Sequence, residues 1–175
     1  MKPSGCRVSS CPPAKGFAEA GAVAHARLSL IPPPFIRQRK YTGRRAEGVR
    51  YEKKVQKHLL EQFPDTYIAS PWLHFISEGA EKWRWCQPDG LLVDFERGLL
   101  TVLEVKYSHT SDAWWQVRKL YTPVLERIFP PSLWKYEACE IVKWYDPAVR
   151  FPEPTELASE LDRPSRKFKV HILRP

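Results

Sequence analysis

The sequence has little cysteine and no long apolar run. Its 175 residues include four cysteines, which are scattered, and five histidines with no i, i+4 pair, so neither a disulfide scaffold nor a zinc site is favoured. No apolar run approaches the roughly 18 residues that a spanning helix needs, and no short apolar core with a small-residue cleavage site marks secretion. We therefore expect a soluble, non-secreted chain that does not contact a membrane and resides in a reducing compartment such as the cytoplasm.

Acidic residues are scarce in the first 50 positions. This region holds ten Lys and Arg against only Glu19 and Glu47, whereas residues 51–175 hold eighteen of each sign, so the whole net charge of +8 lies at the start. The prolines of this region favour extended or irregular backbone. We predict a basic, irregular N-terminal arm over residues 1–45 and one domain over residues 46–175. An Arg-rich, acid-poor start also resembles an organelle transit peptide, which would indicate an organelle, or else a nuclear location, in a eukaryote.

The basic arm predicts a polyanionic partner, most simply DNA. Its cations can follow a phosphate backbone without reading sequence. The residues predicted to do so are Arg37, Arg39, Lys40, Arg44, Arg45 and Arg50. The arm serves equally well as a solubilising tail or as a docking segment for a protein partner, and a homodimer is compatible with the sequence.

Residues 46–63 have the spacing of an amphipathic helix. The apolar positions of the stripe are Val49, Val55, Leu59, Leu60 and Phe63. Glu52 lies three residues from both Val49 and Val55, so it projects from the apolar side. This is an unusual place for a carboxylate, unless the stripe is rotated by one position and Glu52 is exposed.

The rest of the chain predicts an α/β domain. Strand patterns at residues 66–76, 83–95 and 99–107 are followed by a helix over 111–129 and by strands at 136–145 and 168–173. Ser111 and Asp112 are candidate N-cap residues, and Pro123 is expected to bend the helix or end its first part.

The turn between the second and third strands places two carboxylates opposite each other. With a turn of two or four residues centred between Glu96 and Arg97, Asp89 pairs with Glu104. Two carboxylates whose Cβ atoms are about 5 Å apart repel unless a proton or cation lies between them. Mg²⁺ suits such a pair when a backbone carbonyl, here that of Val105, adds a third oxygen. A three-residue turn closed by Gly98 would instead move Asp89 to the other face.

These residues resemble the signature of the PD-(D/E)xK nuclease superfamily. The matching segments are Gln87-Pro88-Asp89-Gly90 and Glu104-Val105-Lys106, and the element order over residues 46–145 agrees. The resemblance implies a restriction-endonuclease-like αβββαβ core, with a mixed central sheet flanked by helices. It also implies an acidic residue on the first helix, a position that Glu52 fits.

The resemblance implies a role for each residue. Asp89 and Glu104 would hold Mg²⁺ or Mn²⁺, and Glu52 would complete the metal shell directly, through water, or with a second ion. Lys106 would orient or deprotonate the attacking water, or stabilise negative charge. Each residue also has a structural alternative, since Asp89 can cap a turn before Gly90 and Lys106 can form a plain ion pair with Glu104.

Gln116 is a further candidate. Some exonuclease-like branches of the superfamily carry Gln and Tyr four residues apart on the second helix, and here Tyr121 follows Gln116 one place late. Gln116 either reaches the site or is a solvated surface residue. The tryptophans, among them Trp83, Trp85 and Trp114, are either core residues or base-stacking platforms.

Together these features predict a Mg²⁺-dependent nuclease that hydrolyses phosphodiester bonds in DNA, with endonuclease and exonuclease action both open. The alternative is a non-catalytic nucleic-acid-binding or structural assembly protein, of a phage or another mobile element, that keeps the nuclease fold.

Overall fold

The computed structural model describes residues 18–35, 40–146 and 167–175. Its strands are β1 (Val23–Ser29), β2 (Tyr67–Ala69), β3 (Trp72–Ser77), β4 (Arg84–Cys86), β5 (Gly90–Asp94), β6 (Leu99–Ser108), β7 (Lys135–Trp144) and β8 (Lys167–Ile172). Helix α1 spans Gly43–Gln62, and the second helical region consists of α2 (Ser111–Trp115), a π-helical segment (Gln116–Tyr121) and α3 (Thr122–Ile128). No helix within these ranges is long and apolar enough to cross a membrane.

The strands form two sheets, and the protein is a mixed α/β fold. One sheet has the antiparallel order β1-β3-β4, and the other has the order β2-β5-β6-β7-β8. In the larger sheet β2, β5 and β6 are antiparallel neighbours, whereas β6, β7 and β8 run parallel. The predicted α/β class and mixed sheet are therefore confirmed.

The two faces of β6 belong to two separate apolar cores. Leu103 and Val105 pack with α1 residues such as Val55, whereas Leu100 and Val102 belong to the core that the second helical region covers. Side chains alternate along a strand, so helices cover the sheet on both faces. Glu104 and Lys106 share the even-numbered face.

The register of the β5–β6 hairpin agrees with the prediction. Asp94 pairs with Leu99 and Gly90 pairs with Leu103, so four residues form the turn and the three-residue alternative is wrong. Gly98 in this turn has φ +57°, and a Cβ at Gly98 would lie 2.8 Å from the Leu133 carbonyl oxygen. Only glycine fits there without strain or collision.

Two predicted strands are each broken in the middle. The 66–76 pattern divides into β2 and β3, and the 83–95 pattern divides into β4 and β5. The antiparallel register is the same on both sides of the break, and it places Pro71 opposite Pro88. Because proline has no N–H, neither residue can donate a hydrogen bond to the partner strand. The two paired segments, residues 67–77 and 84–94, form one antiparallel ribbon, and this ribbon passes from one sheet to the other at the proline pair.

Helical structure continues through Pro123, which does not end it. The carbonyl of Lys119, which an N–H at position 123 would bond in an α-helix, accepts a hydrogen bond from the Ala20 N–H at 2.8 Å. The π-helical segment also changes the bonding pattern just before Pro123. The segment before β1 therefore supplies a donor to the carbonyl that Pro123 cannot bond.

Three local predictions need correction. Residues 23–29 of the predicted irregular arm form β1, because they pair along β3 as the edge strand of that sheet. Leu60 and Phe63 are 46% and 43% exposed, so the apolar stripe of α1 is narrower than predicted and lies at Tyr51, Val55 and Leu59. The residue at the N-cap of α2 is Thr110, one place before Ser111.

Candidate functional site

Asp89 lies at the break in the ribbon, directly before β5. Its side-chain Oδ2 accepts a hydrogen bond from the Val105 N–H at 2.6 Å. The β5–β6 ladder stops at Gly90 and Leu103, so the Asp89 carboxylate bonds β6 in the place of the next strand residue. Burial raises the pKa of Asp89, against the opposing effects of this hydrogen bond and of Lys106.

The backbone around Asp89 is held by several hydrogen bonds. Its carbonyl oxygen accepts the Ser70 N–H at 3.0 Å and the Tyr67 hydroxyl at 3.4 Å. Gln87 donates its side-chain amide to the Ser70 carbonyl at 2.8 Å. A Cβ on Gly90 would come within 2.4 Å of the Tyr67 ring, so only glycine lets the ring approach this backbone. Asp89 is thus fixed by its main chain as well as by its carboxylate.

Glu104 is nearly inaccessible to solvent. It is 2% exposed, and its Oε1 accepts a hydrogen bond from the Lys106 Nζ at 2.6 Å. Its Oε2 is buried and has no hydrogen-bond partner among the described residues. Burial and the charge of Asp89 raise the pKa of Glu104 to about 8, although Lys106 acts in the opposite direction. A buried carboxylate oxygen without a partner is costly, which indicates a place for a proton or a cation.

Lys106 connects Glu104 to the second helical region. Besides its bond to Glu104, its Nζ donates to the Gln116 Oε1 at 2.8 Å. Burial lowers the pKa of Lys106, but the carboxylate of Glu104, with a contribution from Asp89, outweighs it and the net pKa is raised. Lys106 is therefore positively charged at neutral pH.

The π-helical segment explains how Gln116 reaches this group. In a π-helix residue i bonds to i+5, so residues five apart occupy neighbouring turns, as residues four apart do in an α-helix. Gln116 contacts Lys106, and the Tyr121 hydroxyl donates to the Gln87 carbonyl at 3.0 Å. Gln116 and Tyr121 are five residues apart, one more than the spacing of four in the exonuclease-like pattern. The π-helical segment accounts for this extra residue.

Glu52 approaches the same group from α1. It is partly buried and accepts a hydrogen bond from Gln56 at 3.1 Å, and Gln56 also donates to the Ser70 hydroxyl at 2.7 Å. Burial and the charge of Asp89 raise the pKa of Glu52 to about 7. Gln56 and Ser70 thus connect Glu52 to the backbone at the ribbon break.

The donor set is suited to a hard divalent cation. In the described part of the chain, no three His, Cys, Asp or Glu side chains are grouped closely enough to form a metal site by themselves. The N–H and C=O of one strand residue point to the same side, so the Val105 carbonyl points towards Asp89, as its N–H does. Mg²⁺ in proteins is bound by carboxylate and carbonyl oxygens. The site offers carboxylate oxygens of Asp89 and Glu104, including the Glu104 Oε2 that has no partner, and the carbonyl oxygen of Val105.

Sequence reasoning missed a buried pair behind the site. Glu140 on β7 is the register partner of Glu104, and its Oε2 lies 2.6 Å from the Nδ1 of His109, both side chains being fully buried. Its Oε1 accepts the Thr110 N–H at 3.1 Å, where α2 begins. The signal in the sequence was one acidic residue in the apolar run 138–142.

The predicted nucleic-acid contacts are only partly within the described ranges. Lys40, Arg44, Arg45 and Arg50 are exposed before and along the first half of α1, whereas Arg37 and Arg39 lie outside the described residues. Among the tryptophans, Trp114 is a core residue at 3% exposure. Trp83 and Trp85 flank His74, with ring centroids 4.6 and 3.9 Å away.

Comparisons of this chain with protein-family models, with curated proteins and with solved structures found no match. Functional interpretation therefore depends on the residues and their geometry.

Proposed function

We propose that this protein is a Mg²⁺-dependent nuclease that hydrolyses phosphodiester bonds in DNA through a PD-(D/E)xK-type site on a restriction-endonuclease-like core. The observation that carries the proposal is the meeting of Asp89 and Glu104 from neighbouring strands beside Lys106, with one oxygen of Glu104 buried and without a partner. The Lys106–Glu104 ion pair by itself leaves one buried oxygen of Glu104 without a partner. In the metal-free protein a proton can occupy that oxygen, because the pKa of Glu104 is raised to about 8, and Mg²⁺ can take the place of this proton.

The chain's own residues supply most of what phosphodiester hydrolysis needs. When bound by Asp89, Glu104 and the Val105 carbonyl, Mg²⁺ or Mn²⁺ would neutralise charge on the phosphate and lower the pKa of water. Lys106 is charged, so it is suited to donate a hydrogen bond to the attacking water or to a phosphate oxygen. Gln116 accepts a second hydrogen bond from the Lys106 ammonium and so helps to orient it.

Glu52 is the third acidic residue of the proposed site. Its pKa is raised to about 7 in the metal-free protein, and a carboxylate at this position suits a group that orients metal-bound water or accepts a proton from it. Its hydrogen bond from Gln56 fixes its position relative to the ribbon break.

The test is DNA cleavage by the purified protein on supercoiled, linear and branched DNA, with Mg²⁺, Mn²⁺ or EDTA. We expect metal-dependent cleavage that Asp89→Ala and Lys106→Ala both abolish. Gln116→Ala should retain cleavage at a rate roughly 10- to 100-fold lower, because it removes a group that orients Lys106 and touches no ligand of the metal. Glu61→Ala is the matched control, since Glu61 is an exposed acid of α1 that pairs with Lys57.

The outcomes separate the two classes of protein. DNA binding without cleavage in any metal would favour the non-catalytic binding or assembly protein. Cleavage that survives Asp89→Ala would place the chemistry elsewhere and refute the site. An RNA substrate of the same sequence, tested in parallel, measures the preference for DNA.

A further inference from the structure

A cavity of about 440 Å³ lies on the face of β6 opposite Glu104 and Lys106. Helix α1 forms one wall, and the ends of β6, β7 and β8 form the other. Four of its lining residues are cations, namely Arg50, Lys54, Lys143 and Arg174. Two of these come from α1 and two from the end of the large sheet, so residues distant in sequence bring the positive charge together.

The positive charge of this cavity is only partly offset within the described part of the chain. Glu47 is the one acidic side chain in the lining, and none of the four cations forms an ion pair with a carboxylate there. Like charges gathered around one cavity repel each other. An anion bound there would remove that repulsion.

Aromatic rings and backbone groups hold the walls of the cavity in place. The Tyr51 hydroxyl donates to the Leu173 carbonyl at 2.8 Å, which ties α1 to the segment after β8. The Tyr51 and Tyr107 rings meet edge to face at 6.0 Å, and the Lys143 Nζ lies 5.0 Å from the centre of the Tyr107 ring. These contacts shape the cavity and position Lys143 without a ligand.

The cavity adjoins the proposed active site along two elements. Tyr107 follows Lys106 on β6, and Tyr51 precedes Glu52 on α1. Successive residues of a strand are about 3.3 Å apart and point to opposite faces. A polyanion crossing the end of the sheet from the Lys106 side would meet the cations of the cavity next.

We propose that this cavity is a phosphate subsite that binds the DNA backbone beside the bond to be cleaved. This inference rests on the proposed function, because it assigns the cavity to the same substrate. It contacts phosphate and no base, so it contributes affinity and register without sequence preference.

The test measures binding without catalysis. A short fluorescein-labelled DNA duplex is titrated with the protein by fluorescence anisotropy in EDTA, at several salt concentrations. We expect Lys54→Ala and Lys143→Ala each to weaken binding and to reduce the slope of log K against log salt by about 1, because each removes one phosphate contact. Lys57→Ala is the matched control, since Lys57 lies on the same helix, is exposed and does not line the cavity.

Lys54 and Arg50 are exposed, and Lys143 is partly exposed, so these substitutions are not expected to unfold the protein, and thermal melting of each variant verifies this. Slopes equal to that of the wild type in folded Lys54→Ala and Lys143→Ala variants would overturn the proposal, as would absence of DNA binding by the wild type. Reduced slopes in a protein that cleaves no DNA would support the subsite and reject the nuclease. Metal-dependent cleavage with unchanged slopes would support the nuclease and reject the subsite.

Discussion

Burial of Glu104 beside Asp89 makes the protonation of single residues a determinant of stability. The pKa values of Glu104 and Glu52 are raised to about 8 and about 7 from an ordinary value of 4.5. Between pH 4.5 and 8 the folded protein therefore binds more protons than the unfolded chain. The stability that these protons provide is fully present below about pH 4.5 and is lost as the pH rises towards 8.

This linkage predicts a pH dependence for the metal-free protein. We expect the free energy of unfolding in EDTA to fall between pH 5 and pH 8.5, with about 1.4 kcal/mol at stake for each unit by which a pKa is raised. Glu104→Gln, which cannot ionise, should flatten this fall. Urea denaturation at a series of pH values measures the free energy of unfolding. If its dependence on pH is the same in the wild type and in Glu104→Gln, the buried environment described for Glu104 is contradicted.

At the scale of elements, the site depends on one interruption of a β-ribbon. Pro71 and Pro88 face each other where the ribbon passes between sheets, and Asp89 follows the break, with its carboxylate free to bond β6. The second helical region contributes Gln116 through a π-helical segment that precedes Pro123. Both deviations from regular structure occur where the candidate catalytic side chains are positioned.

The hydrogen bond from Ala20 to Lys119 gives a test of the second deviation. Ala20→Pro removes the donor that the segment before β1 offers to this carbonyl, and we expect a loss of about 1–3 kcal/mol in the free energy of unfolding. Ala18→Pro is the control, because Ala18 is exposed and lies two residues before Ala20. Equal stability of both variants, measured by urea denaturation, would show that the Lys119 carbonyl does not need this partner.

At the scale of the whole molecule, residues before α1 are part of the fold. Strand β1 pairs along β3, Ala20 and Val23 are core residues, and Arg127 donates to the Val23 carbonyl. The first residues of the chain therefore cannot be treated as one removable arm.

Two truncations separate the contributions of this region. Deleting residues 1–29 removes β1 and the Ala20 N–H, and we expect it to lower stability well below that of a variant lacking residues 1–17 only. Thermal melting of the two variants is the measurement, and equal melting temperatures would contradict the role given to β1. Deleting residues 1–17 removes three of the chain's cations while keeping β1, so it is also the cleaner variant for DNA-binding assays.

Local pattern alone determined the shared face of Glu104 and Lys106, because strand side chains alternate with a period of two. It restricted the β5–β6 register to two alternatives, and the structure decided for the four-residue turn. It also located α1 and the second helical region, since their apolar spacing is helical. Tertiary structure decided that Gln116 reaches Lys106, that Glu140 lies beside Glu104, and that β1 pairs with β3. These contacts join segments far apart in the chain, and their pairing follows from how whole surfaces pack, which no short stretch of sequence encodes. The cationic cavity between α1 and the ends of β6, β7 and β8 has the same origin.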